Sequence, residues 1–336
     1  MSRVICFSHR EDVDGVSSAA LIKAAFKAKS VILVDYSNMI PNLQKLIDSS
    51  LSAFSARSER IIDKVFICDL GLNKKNEKNF IDLLGKLVST GCKVTYIDHH
   101  DLNNDVAVAL KRLGVILIHS LEECTSILVY KKYKKKFKAN AAFFAAAGAL
   151  TDYMENRPVA SAIISRFDRQ FLMLQSTALS YMISANQHND EFLTQIVDTL
   201  SQMKYPHEIE GGFSIAEKYA KRVSEAVKSV EQSITRMKNL AYAKSTVELS
   251  ASMIVNFVLG ASERPVAMVY KLKEDINSFV ISIRGSKDCN VHLGRLVNQI
   301  ATEVGGSGGG HEKASGAVVP KDKLDEFIRL LDRRIR

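Results

Sequence analysis

Acidic and histidine side chains follow four apolar segments of the chain, a placement that suits the binding of divalent metal ions. The segments are 4–7, 64–68, 93–97 and 141–150, and each has the apolar character of a buried element. The polar residues that follow them are His9, Asp12, Asp14, Asp69, Asp98, His99, His100 and Asp152. Carboxylates can neutralise and bridge two such ions, and imidazoles complete their coordination.

One carboxylate after a strand would carry little weight, because such residues often cap the next helix. Here four segments deliver the same ligand types, and we expect each segment to be a strand whose end meets the others at one edge of a sheet. Asp152 is placed at a strand end on the same reasoning as the others. The sequence therefore predicts a site for two divalent ions.

The elements that must position these side chains follow from the pattern of the first 150 residues. Short β-branched runs alternate there with amphipathic segments, which is typical of a doubly wound parallel sheet in an α/β domain. Strands are expected in VICFS, SVILVDY, KVFICDLG, KVTYIDHH and GVILIH. Ligands of such sheets gather at the carboxyl ends of the strands, where the polar residues lie.

The remainder of the chain divides into a helical segment and a second region that contains strands. Residues 156–244 have helical periodicity only, including one long helix over 214–244, and are predicted to form a helical connector. Strands are then expected at 251–259, 265–272 and 278–286, with helices at about 290–303 and 321–335. The predicted organisation is 1–155, 156–244 and 245–336, with a smaller α/β domain at the end.

Composition limits the class of protein. The chain has 336 residues, 46% of them hydrophobic, and a formal charge of +9. It shows neither a membrane-spanning segment nor a signal-peptide pattern, so we expect a cytoplasmic protein. The five cysteines lack CxxC spacing and are expected to be buried free thiols. Lysines concentrate in 130–138, which we interpret as a solvated helix face, with phosphate contact as the alternative.

The order of these motifs resembles a known family. The chain resembles the DHH phosphoesterase superfamily in four motifs, which are the set HxxDxDG at 9–15, the Asp of ICDLG, the DHH triplet at 98–100 and the Asp of GALTD. The segments SIRGS at 282–286 and GGGH at 308–311 resemble the DHHA1 domain that follows the catalytic domain in one branch of it. The resemblance covers both ends of the chain and leaves only the helical middle unmatched.

The resemblance implies two metal ions, manganese or magnesium. His9, Asp12 and Asp69 would hold one ion. The other would be held by Asp14, Asp69, His99 and Asp152, so that Asp69 bridges the pair. His100 would lie beside the phosphate, and Asp98 would orient a ligand. The first motif departs from many relatives in the three-residue interval between its His and its first Asp, and Glu11 therefore stays an alternative to His9.

The glycine cluster is a candidate for substrate binding. Consecutive glycines can direct backbone N–H groups together into an anion-binding nest, to which Arg284 and His311 could add hydrogen bonds. A flexible turn is the alternative. Ser282 is expected on the same strand face as Arg284, because side chains of a strand return to one face at every second residue. The candidate substrate-binding residues are Ser282, Arg284, Gly308, Gly309, Gly310 and His311.

The implied activity is metal-dependent hydrolysis of phosphodiester bonds in single-stranded DNA or RNA from an end, with the strand held between the two domains. In this the chain is similar to the compact RecJ-like nucleases of archaea, some of which associate with replication factors. One alternative is a phosphodiesterase of small substrates: oligoribonucleotides, cyclic dinucleotides or 3′-phosphoadenosine phosphate. Another is an inactive replication scaffold on the same fold. A homodimer or a replication-factor partner is expected to use the helical middle.

Overall fold

A computed structural model describes residues 3–55, 62–137, 140–245 and 249–335. The chain forms two compact units, Met1–Tyr219 and Ala220–Arg336. Among the described residues, no helix combines the length and the apolar character needed to cross a bilayer. The five cysteines are all buried.

The first unit is built on a five-stranded parallel sheet, which confirms the predicted fold class. Its strands are β1 (Val4–His9), β2 (Ser30–Val34), β3 (Lys64–Cys68), β4 (Lys93–Asp98) and β5 (Ile116–His119). They lie in the order β2-β1-β3-β4-β5, and all of their pairings are parallel. All five predicted runs form strands; β1, β3 and β4 are buried almost throughout, as is typical of central parallel strands, and the edge strands β2 and β5 are mostly half-buried.

Helices cover both faces of this sheet. They are α1 (Val13–Phe26), α2 (Met39–Ser55), α3 (Lys74–Ser89), α4 (Asn104–Arg112), α5 (Thr125–Tyr133) and α6 (Ala141–Thr151). The core on one face includes residues of α1, α5 and α6, and the core on the other includes residues of α2, α3 and α4. The chain therefore leaves β1 and β3 toward opposite faces, which opens a crevice at the carboxyl ends of these two adjacent strands.

The helical segment that follows packs on the same unit as far as Tyr219, and the rest of its last helix belongs to the second unit. It contains α7 (Pro158–Ile164), α8 (Arg169–Ala185), α9 (Asp190–Ser201) and α10 (Gly212–Ser233). Residues of α8 and α9, such as Leu179 and Ile196, share a core with α1 and α6. The division of the chain at residues 155 and 244 stays a prediction about domains.

The long helix expected over 214–244 ends earlier than predicted. It stops at Ser233, and two strands follow, β6 (Thr235–Arg236) and β7 (Leu240–Lys244). Strand β7 pairs with β6 and with a later strand, so hydrogen bonds between strands replace those of a helix in this segment. Tertiary pairing has overridden local helical periodicity here.

The second unit is a smaller mixed sheet with helices, as predicted. Its further elements are α11 (Ala251–Ser262), β8 (Val266–Lys273), β9 (Ser278–Gly285), α12 (Leu293–Glu303), β10 (Ser307–Gly310), β11 (Ala314–Pro320) and α13 (Leu324–Arg334). The strand order is β10-β11-β9-β8-β7-β6, parallel only between β7 and β8. Val297 of α12 and Phe327 of α13 join one core with Ile281 of β9.

The strand predicted over 251–259 is wrong, because these residues form α11. Ser250 caps the helix, since its side chain accepts a hydrogen bond from the backbone N–H of Met253 at 3.3 Å. Ile254, Val255 and Val258 are buried, a spacing that belongs to one face of a helix.

Candidate metal centre

The candidate metal-binding residues meet at the carboxyl edge of the parallel sheet. His9 ends β1, Asp69 follows β3, and His99 follows the last residue of β4. Asp152 joins them from a different kind of element, the carboxyl end of α6, and its predicted place at a strand end is wrong. The alanine-rich segment before it is buried along nearly its whole length and forms a helix of the core.

The first motif turns sharply from β1 into α1. Asp12 is the N-cap of α1, and its Oδ1 accepts a hydrogen bond from the Gly15 N–H at 2.8 Å. Its Oδ2 lies 2.8 Å from His9 Nδ1. A Cβ on residue 15 would lie 2.7 Å from the Cβ of His9, so only glycine permits this approach. The glycine at the end of the first motif is therefore explained by sterics.

Two residues of α5 hold the most buried carboxylates. Both oxygens of Asp14 accept backbone N–H groups, from Thr125 at 2.8 Å and Ser126 at 2.9 Å. The Thr125 hydroxyl donates to Asp69 Oδ1 at 3.0 Å. Free N–H groups at a helix start stabilise negative charge, which explains how Asp14 is kept in place. The sequence analysis missed Thr125 and Ser126, although two hydroxyl residues at the start of an apolar helix were the available signal.

Ligand atoms gather in three overlapping groups. Within each group the atoms lie within 4.8 Å of one another. The groups are His9, Asp12 and Asp69; Asp14, His99 and Asp152; and Asp69, His99 and His100. The first two correspond to the two ligand sets that the family resemblance implied, and Asp69 Oδ1 lies 3.3 Å from His99 Nε2 between them. Glu11 lies outside these groups, with Oε2 at 3.6 Å from His9 Nε2.

The electrostatics of this cluster fit a cation. Burial and the charges of Asp14, Asp12 and Asp98 hold the pKa of Asp69 well above its usual range. Burial, and then the charge of Asp14, raises the pKa of Asp152 to about 7. Among the described residues, His9 Nε2 and Asp152 Oδ2 are buried without a hydrogen-bond partner. Carboxylates packed this closely repel one another, and divalent ions would relieve that repulsion.

His9 and Asp12 form a charged pair in the absence of a metal. Burial lowers the pKa of His9, but the Asp12 hydrogen bond and the charges of Asp12 and Asp69 outweigh it and raise this pKa to about 9. For Asp12, burial acts to raise the pKa, and the hydrogen bond and charge of His9 bring it below its ordinary value.

His100 is fixed on both sides of its ring. Its Nδ1 lies 3.0 Å from Asp98 Oδ1, and its Nε2 lies 3.2 Å from the Tyr36 hydroxyl. Asp98 is 1% exposed, and the ring that its carboxylate contacts is that of His100. A Cβ on Gly71 would lie 2.8 Å from His100 Cγ, and this glycine makes room for the ring.

Tyr36 is a third residue that the sequence analysis missed. It comes two residues after β2, and its ring centre lies 4.9 Å from that of His9. Burial and the charges of Asp69, Asp12 and Asp98 raise the pKa of its hydroxyl. The available signal was its place after a strand, which a search for acids and histidines alone passed over.

The candidate substrate residues lie on β9 and β10 of the second sheet and directly after β10, and Ser282 and Arg284 are half-buried. Ser282 and Arg284 alternate with the buried Ile281 and Ile283, so the two share a face as expected. Gly309 pairs with Gly316, and Gly316 pairs with Ser282. The three residues therefore form a row across β10, β11 and β9 in which only Ser282 has a side chain. His311 is exposed at the end of the row.

The anion-binding nest predicted for the glycine cluster is wrong. Gly308, Gly309 and Gly310 belong to β10, where they pair with Ala317, Gly316 and Ser315 of β11. The Ser315 hydroxyl also donates to Gly309 O at 2.6 Å. An antiparallel ladder turns successive N–H groups to opposite sides, so they cannot converge as a nest requires.

Comparisons with known proteins identify the family. Residues 3–154 match the DHH family, N-terminal domain, and residues 239–336 match the DHHA1 domain. Residues 3–154 therefore belong to the DHH family and residues 239–336 to the DHHA1 domain family, as the motifs predicted.

Individual relatives are distant. The uncharacterized protein MJ0831 of Methanocaldococcus jannaschii is 31% identical over 180 residues, which are 52% of this chain and 38% of that protein. The chain thus spans less than two thirds of the length of that relative.

Two solved structures share the fold. The pGpG-specific phosphodiesterase PggH of Vibrio cholerae has a TM-score of 0.60 at 14% identity, covering 99% of this chain and 98% of its own. RecJ of Thermus thermophilus, solved with Mg²⁺, has a TM-score of 0.55 at 13% identity, covering 98% of this chain and 49% of its own.

Proposed function

We propose that the chain is a metal-dependent phosphodiesterase that cleaves single-stranded nucleic acid from an end. The observation that carries the proposal is the set of three overlapping groups of ligand atoms, each within 4.8 Å, joined through Asp69 and His99. Carboxylates shared between neighbouring ligand groups suit two adjacent ions, the arrangement that supports phosphodiester cleavage by water.

The residues would divide between two ions. His9, Asp12 and Asp69 would hold one, and Asp14, His99 and Asp152 would hold the second together with Asp69. Two ions bound there lower the pKa of a water molecule and offset the negative charge that builds on the phosphate oxygens. We propose manganese or magnesium, because a centre dominated by carboxylate oxygens favours these ions.

His100 would act on the phosphate itself. The Asp98 carboxylate fixes the ring through Nδ1, which leaves Nε2 as the atom that can donate to a substrate. Nε2 contacts the Tyr36 hydroxyl at 3.2 Å, and a phosphate oxygen would replace that hydroxyl. Because the ring is held before the substrate arrives, its hydrogen bond to the developing charge costs little reorganisation.

Aromatic side chains near the centre favour a nucleotide substrate. Tyr153 follows Asp152 directly, is 83% exposed and has a left-handed φ of 58°. A bulky residue in that conformation is strained, which is common where function fixes a side chain. Tyr153 is therefore proposed as a stacking surface for a base, a contact that tolerates any sequence.

The face of the second sheet that carries Ser282 and Arg284 is proposed to bind the nucleic-acid backbone. Ser282 and Arg284 would supply a hydroxyl and a cation for phosphate, and the row of Gly309 and Gly316 would let the backbone approach closely. His311 and the neighbouring Gly308 and Gly310 would border this contact. The proposal uses the strand face in place of the nest expected from the sequence.

A small-substrate phosphodiesterase is the second candidate. The observation that favours it is the extent of the structural matches, since the chain covers 98% of the pGpG-specific enzyme and 49% of RecJ. At these identities the likeness shows the fold alone, and substrate length has to be measured.

Hydrolysis of strands of graded length separates the two candidates. Single strands of DNA and of RNA, labelled at either end and from dinucleotides to about thirty nucleotides long, are incubated with Mn²⁺. Progressive loss of the long strands from one end is the expected result, and it also gives the polarity. Cleavage confined to the shortest strands would replace the exonuclease by the small-substrate enzyme. Absence of cleavage on every strand would favour the inactive scaffold.

A further inference from the structure

A run of lysines at the end of α5 has no part in the metal centre. Lys131 and Lys132 lie in the last turn of α5, and Lys134, Lys135 and Lys136 form the turn that follows. All five are exposed, and none takes part in an ion pair formed among the described residues. The attraction of a helix end for cations explains Lys131 and Lys132 but not the three that follow.

Aromatic packing fixes this run against the amino edge of the parallel sheet. The Nζ of Lys136 lies 5.0 Å from the ring centre of Phe26, and the Nζ of Lys64, the first residue of β3, lies 5.6 Å from the same centre. The Tyr133 ring packs edge-on against Phe26 at 4.9 Å. The lysines are therefore at the opposite edge of the sheet from Asp69.

Other lysines extend the positive surface along this edge. Lys27 and Lys29 precede β2, Lys93 begins β4, and all three are exposed. Asp63 is an acid that the structure describes at this edge, and it accepts a hydrogen bond from the Arg3 N–H at 2.5 Å. We name this surface the lysine edge; it comprises Lys27, Lys29, Lys64, Lys93, Lys131, Lys132, Lys134, Lys135 and Lys136.

We propose that the lysine edge is a second nucleic-acid site, which binds the phosphate backbone away from the metal centre. Like charges repel when crowded, and a polyanion relieves that repulsion while releasing its own counterions. Strands of five or six residues separate the two edges by roughly 15–20 Å, so a bound strand can contact the lysine edge while another part of it is cleaved. The inference rests on charge and not on the proposed hydrolysis.

The burial of the aromatic residues in the run indicates which kind of partner the lysines could bind. Tyr130 is buried, and Tyr133 and Phe137 are half-buried against the core of the unit. The run therefore offers no exposed ring to enter a bilayer or to stack on a base. A partner recognised by lysines alone is a regularly spaced line of phosphates, which points to backbone contact without sequence preference.

Charge-neutralising variants test the site. The variant Lys132→Gln, Lys134→Gln, Lys135→Gln removes three positive charges from the lysine edge. Its matched control is Lys78→Gln, Lys86→Gln, Lys111→Gln, which removes three from exposed positions of α3 and α4. Binding of a labelled single strand of about thirty nucleotides is measured in EDTA, where no hydrolysis occurs, over a series of salt concentrations.

The lysine-edge variant should bind at least about tenfold more weakly, and the slope of log K against log salt should fall by about 2, as expected for three lost contacts. The control and a variant with arginine at the same three positions should bind like the wild type. Dinucleotide cleavage with Mn²⁺ should be equal in all of them, so failure of the proposed hydrolysis would be recognised separately.

Two results would overturn the inference. One is equal affinity and equal salt slope in the lysine-edge and control variants. The other is loss of binding to vesicles of anionic lipid with oligonucleotide binding unchanged, which would assign the surface to a membrane. Melting temperatures of all variants establish that folding is intact, and the three single Lys→Gln substitutions test the charge if the triple variant is unstable.

Discussion

The two edges of the parallel sheet carry charges of opposite sign, and they differ in how far those charges are buried. At the carboxyl edge, carboxylates and imidazoles are mostly buried and held by hydrogen bonds, as with Asp14 and the N–H groups of α5. At the amino edge, the lysines other than the half-buried Lys64 are exposed, and none forms an ion pair among the described residues. Buried charge of fixed geometry suits ions at short range, whereas exposed charge acts over a Debye length. The contrast distinguishes an edge suited to binding metal ions from an edge suited to attracting a polyanion at longer range.

Neutralising one carboxylate at the carboxyl edge should have the largest effect. Asp69→Asn should lower hydrolysis by about 10³-fold or more, because ligation and bridging supply several kcal/mol. The metal-free variant should melt at the same temperature as the wild type or higher, because one crowded charge is gone while Oδ1 can still accept from Thr125. Steady-state hydrolysis with Mn²⁺ and thermal melting measure both. Wild-type activity in this variant would break the contrast between the edges.

Removing the His100 ring should cost less. His100→Ala should lower kcat by about 10²–10³-fold, the usual loss for a donor to developing charge. Asp98→Asn, which leaves the ring but weakens its orientation, should lower it by about 10–100-fold. Metal affinity measured alongside should change little for Asp98→Asn. If both variants lost metal binding instead, His100 would belong among the ligands.

The exposed aromatic beside the centre should affect binding more than chemistry. Tyr153→Ala should raise KM for a single strand by about tenfold with kcat nearly unchanged, because stacking on a base is worth about 1–3 kcal/mol. Tyr153→Phe should retain the wild-type KM. A fall in kcat alone would show that Tyr153 positions Asp152 and does not stack.

The smallest expected effect is on stability and its pH dependence. The pKa of Asp152 is raised from 3.8 to about 7, so its ionisation opposes folding, and this part of the stability falls as the pH rises between those values. The pKa of His9 is raised to about 9, and the stability it adds below its ordinary 6.5 is lost as the pH rises through 9. Metal-free protein should therefore melt lower at about pH 8 than at about pH 5.

Added Mn²⁺ should reverse this trend, because ions bind the ionised carboxylates and stabilise the folded state more as the pH rises. Differential scanning fluorimetry with and without Mn²⁺ follows both cases. Asp152→Asn serves as the matched variant, and its metal-free melting temperature should depend less on pH. An equal pH dependence in Asp152→Asn and wild type would contradict the assignment to Asp152.

The chemistry of the site was largely readable from the sequence. Asp69 and His99 stand directly after apolar runs, and a parallel sheet brings such positions together whatever the rest of the fold. The supporting contacts could not be predicted from the sequence. Thr125 contacts Asp69 and Tyr36 contacts His100, and each pair is far apart along the chain. Hydroxyl groups at helix starts and strand ends are too common in sequences to be singled out.

The errors in the fold have one physical origin. Apolar segments such as 141–150 and 251–259 are buried on most sides, and periodicity alone does not separate a buried strand from a buried helix. Ser250 was the local signal for a helix start in the second case. The glycine cluster was mistaken for an anion-binding nest because its pairing with β11 is a tertiary contact that glycine composition does not reveal.

The central claim is that the carboxyl edge holds two divalent ions, and calorimetric titration of Mn²⁺ into metal-free protein tests it most directly. The account predicts two ions bound per chain in the wild type and a marked loss of binding in Asp69→Asn, which removes the shared carboxylate. Absence of binding in the wild type, or equal binding in the two proteins, would contradict it.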